Sequence, residues 1–244
     1  MARYEDTAEE GIRERSGWLI PLGVFLVTFA LAALFLLFYL APSPPSFFHE
    51  PVSFTARGDI VVLKVHSRAF YVPANYLKYR SDRQGGDRRD IKLVALLPDM
   101  QGYSDWDDST FKSNAADAAT VEMLIHDDSV RLSEGDWFRR IYGPYIKNAN
   151  GSSAPYGLTR YEFRNDSGYR AVDLYVGKAA TGIVTFQCER FSLRVPSPNC
   201  HREMVIARGV ALSYRFKRAH LARWRSIADG VSNLIKSFEA KPSK

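Results

Sequence analysis

The side chains best suited to chemistry in this sequence are Cys188 and Cys200, the only two cysteines. Two cysteines close in sequence pair as a disulfide in an oxidising compartment, and this bond would close the loop from Phe191 to Asn199. Chain-entropy arguments give a ring of this size about 3 kcal/mol of stabilisation. We therefore predict a Cys188–Cys200 disulfide. The alternative, Cys200 and His201 as nucleophile and base, is disfavoured because neighbouring strand residues point to opposite faces.

A second candidate for chemistry is the acidic stretch at Asp105, Asp107 and Asp108, since calcium prefers clustered carboxylates. An EF-hand beginning at Asp105 would need glycine where Thr110 stands and a glutamate where Ala116 stands. The five histidines have no metal-ligand spacing, and no phosphate-binding glycine loop or nucleophile elbow is present. We predict no catalytic residue, no metal site and no cofactor.

Positive charge is concentrated near the C-terminus of a chain whose formal net charge is +6. Such a cluster attracts acidic partners or anionic headgroups, although it is also the composition of an ordinary solvated helix face. No nucleic-acid-binding motif accompanies it, so we predict no nucleic acid partner. The candidate basic contact patch consists of Arg215, Lys217, Arg218, Arg223 and Arg225.

Residues 18–40 form an uncharged, strongly apolar segment. A helix of this length spans about 35 Å, which is enough to cross a bilayer. Trp18 and Tyr39 would mark its two ends, where amphipathic rings prefer the interface. A cleaved signal peptide is the alternative, but its apolar region is shorter and is followed by small residues rather than by prolines. We predict a retained signal-anchor helix and the lipid bilayer as a partner.

The orientation of this helix follows from the cations on its two sides. Arg13 and Arg15 precede it closely, whereas the first cation beyond it is Arg57. The positive-inside rule then keeps the N-terminus in the cytoplasm. We predict a single-pass protein, most simply of a bacterial inner membrane, with a periplasmic domain. The predicted divisions are a tail at 1–17, the anchor at 18–40, a proline-rich spacer at 41–51 and the domain at 52–244.

The predicted domain is rich in strand patterns and ends in one amphipathic helix. Alternating or β-branched runs predict strands at 60–66, 69–73, 91–97, 120–125, 158–163, 171–176, 182–190, 203–207 and 210–216, with a polar loop at 80–90. From about residue 218 apolar residues recur at helical spacing, so this helix should cover a sheet face. The predicted fold class is α+β: an N-terminal transmembrane helix, a mostly antiparallel sheet and a closing C-terminal helix.

Function is less determined than location, and three hypotheses stay open. The first is a non-catalytic accessory protein whose domain binds a membrane or periplasmic protein partner, because tethering raises the effective concentration near such partners. The second is a periplasmic inhibitor or immunity-type protein. The third is a tethered hydrolase whose site assembles only in the fold. Aromatic residues at 137–145 fit either a contact surface or a core.

Overall fold

The computed structural model describes residues 17–40, 50–128, 132–179 and 182–241. The chain divides into two compact units, Met1–Glu50 and Pro51–Lys244. Nearly all of the predicted tail, most of the predicted spacer and the side chain of Tyr39 lie outside the described residues.

The first unit contains helix α1 (Leu19–Leu40). Its segment Ile20–Leu37 is long and apolar enough to cross a membrane, and none of that segment is buried. Trp18, just before the helix, is 71% exposed. The hydroxyl of Thr28 donates to the carbonyl oxygen of Val24 at 2.8 Å, so this polar side chain is satisfied within the helix. A membrane anchor and a signal sequence both fit this description.

The second unit is an α+β domain built on two sheets, and the predicted fold class is confirmed. Its short helices are α2 (Asp108–Lys112) and α3 (Glu134–Asp136), which runs into a wider turn at Trp137–Tyr142, and its long helix is α4 (Trp224–Glu239). Its strands are β1 (Ile60–Val65), β2 (Arg68–Pro73), β3 (Gly86–Arg88), β4 (Asp90–Leu96), β5 (Thr120–Asp127), β6 (Ser152–Ala154), β7 (Leu158–Glu162), β8 (Val172–Ala179), β9 (Gly182–Glu189), β10 (Asn199–Ala207) and β11 (Val210–Lys217).

The larger sheet has eight antiparallel strands in the order β4-β5-β11-β10-β9-β8-β7-β6. The two faces of this sheet differ, as the side chains of strand β11 show. Leu212, Tyr214 and Phe216 are buried in the main core, whereas Ser213 and Arg215, which alternate with them, point to the opposite face. We call these the inner and the outer face of the sheet.

The inner face is covered by α4 and by a smaller sheet of order β2-β1-β3. The indole of Trp224, fully buried, packs edge-on against Phe186 at a centroid distance of 6.0 Å and donates to the carbonyl oxygen of Tyr156 at 3.1 Å. Gly177 on β8 lies beneath it, and a Cβ there would come within 2.7 Å of the indole. Phe238, at the other end of α4, packs against Tyr76 at 5.1 Å. The apolar stripe of the helix is therefore buried along its length.

The structure corrects two details of the expected fold. The polar stretch 80–90 is not only loop: it contains a short helical turn and β3, which pairs parallel to β1. Strand β10 begins at Asn199, earlier than its sequence pattern indicates, so Cys200 and His201 lie within it. Both differences arise because polar residues join a strand when a neighbouring strand supplies hydrogen-bond partners, which periodicity does not register.

Replacing Trp224 with alanine is expected to lower the free energy of unfolding by about 3–5 kcal/mol, because it leaves a large cavity between α4 and the sheet. Trp106→Ala is the matched control, since Trp106 is 96% exposed and its loss should change stability by no more than about 0.5 kcal/mol. Urea unfolding of the full chain in detergent, followed by circular dichroism, measures both. Equal effects of the two substitutions would contradict the packing described here.

Candidate functional site

A loop at residues 190–198 joins β9 to β10 and is held closed at its base. Cys188 and Cys200 are register partners across the two strands, and their Sγ atoms lie 1.97 Å apart, at disulfide distance. Next to them, Glu189 accepts hydrogen bonds from the backbone and the side-chain amide of Asn199, at 2.8 and 3.1 Å. We call residues 190–198 the clamped loop.

The returning half of the clamped loop is fixed by further hydrogen bonds. The carbonyl oxygen of Pro198 accepts from the backbone N–H of Arg218 at 2.9 Å. The hydroxyl of Ser197 lies 3.2 Å from the carbonyl oxygens of both Asn114 and Ala115, in the segment that follows α2. These contacts join the loop to two other parts of the domain, so its backbone is preorganised.

The apex of the clamped loop is a tight turn that presents apolar side chains to solvent. Ser192 and Val195 exchange backbone hydrogen bonds of 3.2 and 3.0 Å, which places Leu193 and Arg194 at the tip. Leu193 is 98% exposed and Phe191 is 71% exposed. Turn residues are normally polar, so Leu193 at the tip of a fixed turn and Phe191 just before that turn suit insertion into an apolar pocket of a partner.

Asp173 on β8 organises the outgoing half of the same loop. This carboxylate is 1% exposed and contacts three guanidinium groups. Arg190, the first loop residue, donates to Oδ1 at 2.8 Å. Arg160 lies 3.1 Å and Arg218 3.9 Å from Oδ2. One buried negative charge thus ties β7, β8, the clamped loop and the segment after β11 together.

The centre of the outer face carries a cleft of about 350 Å³. An adjoining cleft of about 260 Å³ shares two lining residues with it, Glu122 and Arg215. We call the two together the basic cleft. The side chains lining it include Lys78, Lys92, Glu122, His201, Ser213, Arg215, Lys217 and Asn114.

Glu122 lies at the middle of the basic cleft and neutralises two cations at once. Its Oε2 accepts from Lys78 Nζ at 3.0 Å and from Arg215 Nη2 at 2.7 Å. Burial alone would raise the pKa of Glu122, but Lys78 and Arg215 together hold this pKa below its usual value. The carboxylate therefore stays ionised at neutral pH.

His201 lines the same cleft, and its environment favours the neutral imidazole. Burial lowers the pKa of His201; Arg215 and His126 act in the same direction and Glu203 opposes them. His126 Nε2 is 3.7 Å from Glu203 Oε1. The hydroxyl of Ser213 lines the same cleft, and among the described residues it makes no hydrogen bond to the imidazole of His201 or His126.

A buried ion pair shapes the sheet beside the cleft. Strands β9 and β10 pair only at Cys188–Cys200 and Gln187–His201, and farther along the carboxylate of Glu134 stands between them. Glu134 Oε1 accepts from the Thr185 backbone at 3.1 Å, and Oε2 accepts from Arg202 at 2.7 Å. Arg202, 3% exposed, also donates to the Tyr214 hydroxyl at 3.1 Å. The side chain of Glu134 thus satisfies a backbone N–H that the neighbouring strand leaves free.

The candidate basic patch does not form one surface. Arg215 and Lys217 point into the basic cleft, with Lys217 Nζ 2.7 Å from Asn114 Oδ1. Arg218 instead donates to the carbonyl oxygen of Glu189 and to Tyr175, at 2.7 and 2.8 Å. Arg225 lies 4.4 Å from the ring of Trp224, and Arg223 is exposed nearby. Residues adjacent in sequence separate because the strand ends at Lys217 and a turn follows.

Two other groups singled out by sequence have structural roles. Trp137, Phe138 and Tyr142 pack with Phe163 in a satellite core over the outer face of β7 and β8. In the acidic stretch, Asp108 accepts from Tyr103 and Lys112, each at 2.8 Å. No group of three or more His, Cys, Asp or Glu suited to a metal ion occurs within the described residues.

Sequence reasoning did not select Leu193 or Glu122. The signal for Leu193 was present, since Phe191 and Leu193 are large apolar residues inside a loop bounded by two cysteines. The signal for Glu122 was its alternation with Val121 and Met123 in a strand. The partners of Glu122 on neighbouring strands depend on the order of strands in the sheet. The sequence pattern carries no information about that order.

No protein-family model and no curated protein sequence matches the chain. An immunity protein of the Stenotrophomonas maltophilia type IV secretion system has a similar structure, with a TM-score of 0.53 and 18% identity, covering 75% of this chain and 94% of that one. The Neisseria meningitidis iron-regulated outer membrane lipoprotein FrpD gives a TM-score of 0.47 at 15% identity, covering 79% and 97%. At this identity the first likeness establishes a shared α+β fold.

Asp173→Asn is expected to lower the free energy of unfolding by about 2 kcal/mol, because three arginines lose their shared counter-charge. The figure is below that for a fully buried pair, since the three arginine side chains are about one third exposed. Asp166→Asn, at a carboxylate whose side chain is 72% exposed, is the matched control and should be nearly neutral. Urea unfolding compares them; a neutral Asp173→Asn would contradict this role.

His201 is expected to make stability depend on pH. Because the pKa of His201 is lowered in the folded state, the unfolded chain binds the proton more readily. The contribution of His201 to the free energy of unfolding is therefore lost as pH falls below about 6.5. On going from pH 7.5 to pH 5.5, the natural protein should therefore lose more unfolding free energy than the His201→Gln variant does. Denaturant unfolding at both pH values tests this, and a constant difference would refute it.

Proposed function

We propose that the chain is a membrane-anchored, non-catalytic interaction protein whose C-terminal domain captures a protein partner through the clamped loop. The observation that carries the proposal is the fixed turn of this loop, with Leu193 at its tip 98% exposed and Phe191 just before it 71% exposed. Burying each of these side chains in a partner would contribute about 1.5–3 kcal/mol. Because the loop is already ordered, little of that gain is lost to conformational entropy on binding.

Two features support placing this domain outside the cytoplasm. Helix α1 has the length and composition of a membrane anchor, and Arg13 and Arg15 precede it in the sequence. Cys188 and Cys200 lie at disulfide distance at the base of the clamped loop, and a disulfide persists in an oxidising compartment such as the periplasm. In this proposal the anchor concentrates the loop near partners at or above the same membrane.

An inhibitor or immunity-type role is the second candidate. The domain shares its fold with an immunity protein of a type IV secretion system, and a rigid apolar loop is suited to blocking a pocket of an enzyme. The two candidates differ in the partner: an inhibitor's partner loses activity when bound, whereas an accessory protein's partner keeps or gains it.

Site-specific photocrosslinking in intact cells tests the capture of a partner. Benzoylphenylalanine at position 193 of the full chain is expected to give a discrete protein adduct, identifiable by mass spectrometry. The same probe at position 166, exposed in another turn, is the matched control. With the identified partner purified, Leu193→Ser should weaken binding at least about tenfold, equivalent to about 1.4 kcal/mol.

Two outcomes would overturn the proposal: identical adducts from positions 193 and 166, or full affinity in Leu193→Ser. The substitution should leave the free energy of unfolding within about 0.5 kcal/mol of its natural value because Leu193 is exposed, so lost binding would not reflect unfolding. An activity assay of the identified partner, with and without the full chain, then separates inhibitor from accessory protein.

A further inference from the structure

The basic cleft has an unbalanced charge. Four cations line it, Lys78, Lys92, Arg215 and Lys217, against one carboxylate, that of Glu122. Three carboxylates outside the lining residues offset part of this charge. Asp90 lies 3.5 Å from Lys92 Nζ, Glu189 acts on Lys217, and Glu203 acts on His201. An excess of positive charge in a concave surface attracts anionic groups and favours their binding.

The contacts of Glu122 reveal which anionic group fits. One carboxylate oxygen already lies 3.0 Å from Lys78 and 2.7 Å from Arg215, at the boundary between the two parts of the cleft. The cations on both sides are thus oriented towards a carboxylate. Glu122 satisfies only part of their hydrogen-bonding capacity, since a guanidinium group has five N–H donors and an ammonium group three.

The basic cleft is also continuous with the clamped loop. Lys217 Nζ lies 2.7 Å from Asn114 Oδ1 in the cleft and 3.5 Å from the carbonyl oxygen of Ser197 in the loop. The Ser197 hydroxyl is 3.2 Å from the Asn114 carbonyl oxygen. A protein that binds the loop and continues past Ser197 would therefore reach the cleft.

We infer that the basic cleft binds an acidic segment of the protein partner, whose carboxylates join Glu122 at Lys78 and Arg215. This inference rests on the proposed function and adds the chemistry of the partner. The clamped loop supplies the apolar anchor, and the cleft selects partners with negative charge beside the pocket that receives Leu193. Complementary charge of this kind raises association rates and rejects basic partners.

Glu122 occupies part of the site, so the direction in which its removal changes the affinity for an acidic segment can be predicted. In the free protein it competes with the incoming carboxylates for Lys78 and Arg215, and it also repels them. Glu122→Gln keeps the shape of the side chain and removes the charge. It should therefore strengthen binding, whereas Arg215→Gln should weaken it. If the two substitutions merely damaged the fold, both would weaken binding, and neither would strengthen it.

The test uses a fluorescein-labelled hexaglutamate peptide and the full chain in a neutral detergent, with binding followed by fluorescence anisotropy at low salt. Arg215→Gln is expected to weaken binding about fivefold, the effect of losing one exposed ion pair at the upper end of its usual range. Glu122→Gln is expected to strengthen it by a similar factor. Arg223→Gln, an arginine of the same C-terminal run outside the cleft, is the matched control and should leave affinity unchanged.

The inference is overturned if hexaglutamate does not bind, if Arg215→Gln and Arg223→Gln weaken binding equally, or if Glu122→Gln weakens it. Inorganic phosphate and dihexanoyl phosphatidylglycerol serve as competitors. Displacement of the peptide by either one at a lower concentration than by unlabelled hexaglutamate would also overturn it, by assigning the cleft to a phosphate or a lipid headgroup.

Hexaglutamate has no apolar side chain for a partner pocket to receive, so its binding reports on the cleft alone. Failure of the peptide with a positive crosslink at position 193 therefore rejects the acidic segment and leaves protein capture standing. Peptide binding with the expected variant effects, but no crosslink, rejects capture through the loop and leaves the cleft's preference for carboxylates standing.

Discussion

The packing of α4 against the inner face of the large sheet is the interaction on which the rest of the domain depends. Trp224, without exposed surface, fills the space over Gly177, and the apolar stripe of the helix buries itself together with the smaller sheet. Burial on one face determines the direction of every alternate side chain on the central strands. Glu122, His201 and Arg215 are on the outer face because their neighbours Val121, Cys200 and Phe216 are required inside.

The clamped loop and the basic cleft are consequences of the same sheet. The pairing of β9 with β10 brings Cys188 opposite Cys200 and so determines where the loop leaves the sheet. Because this pairing stops after Gln187 and His201, the carboxylate of Glu134 can enter between the strands and hold Arg202 beneath the surface. A rigid frame of this kind allows a loop to keep apolar side chains exposed without collapsing onto its own domain.

The two parts of the candidate site would contribute differently to recognition. Apolar side chains such as Leu193 supply affinity once a pocket buries them. In the proposed complex the cations of the cleft would supply selectivity, since charges at a wet surface contribute little energy but strongly disfavour a partner of like charge. Under this proposal, affinity and specificity would come from separate parts of the domain, which hydrogen bonds connect through Ser197, Asn114 and Lys217.

The sequence by itself determined the apolar helix near the N-terminus, the α+β class, most strands and the amphipathic C-terminal helix. Each of these depends on a local period of apolar residues, which chain order contains directly. It did not determine β3, whose polar residues form a strand only because β1 lies beside them. Nor did it indicate that the cations from Arg215 to Arg225 would separate, some lining the cleft, one joining Asp173 and others lying on the surface of α4. Tertiary structure alone decided these features, because they depend on contacts between residues far apart in the chain, and local periodicity carries no information about which distant strand or carboxylate a side chain will meet.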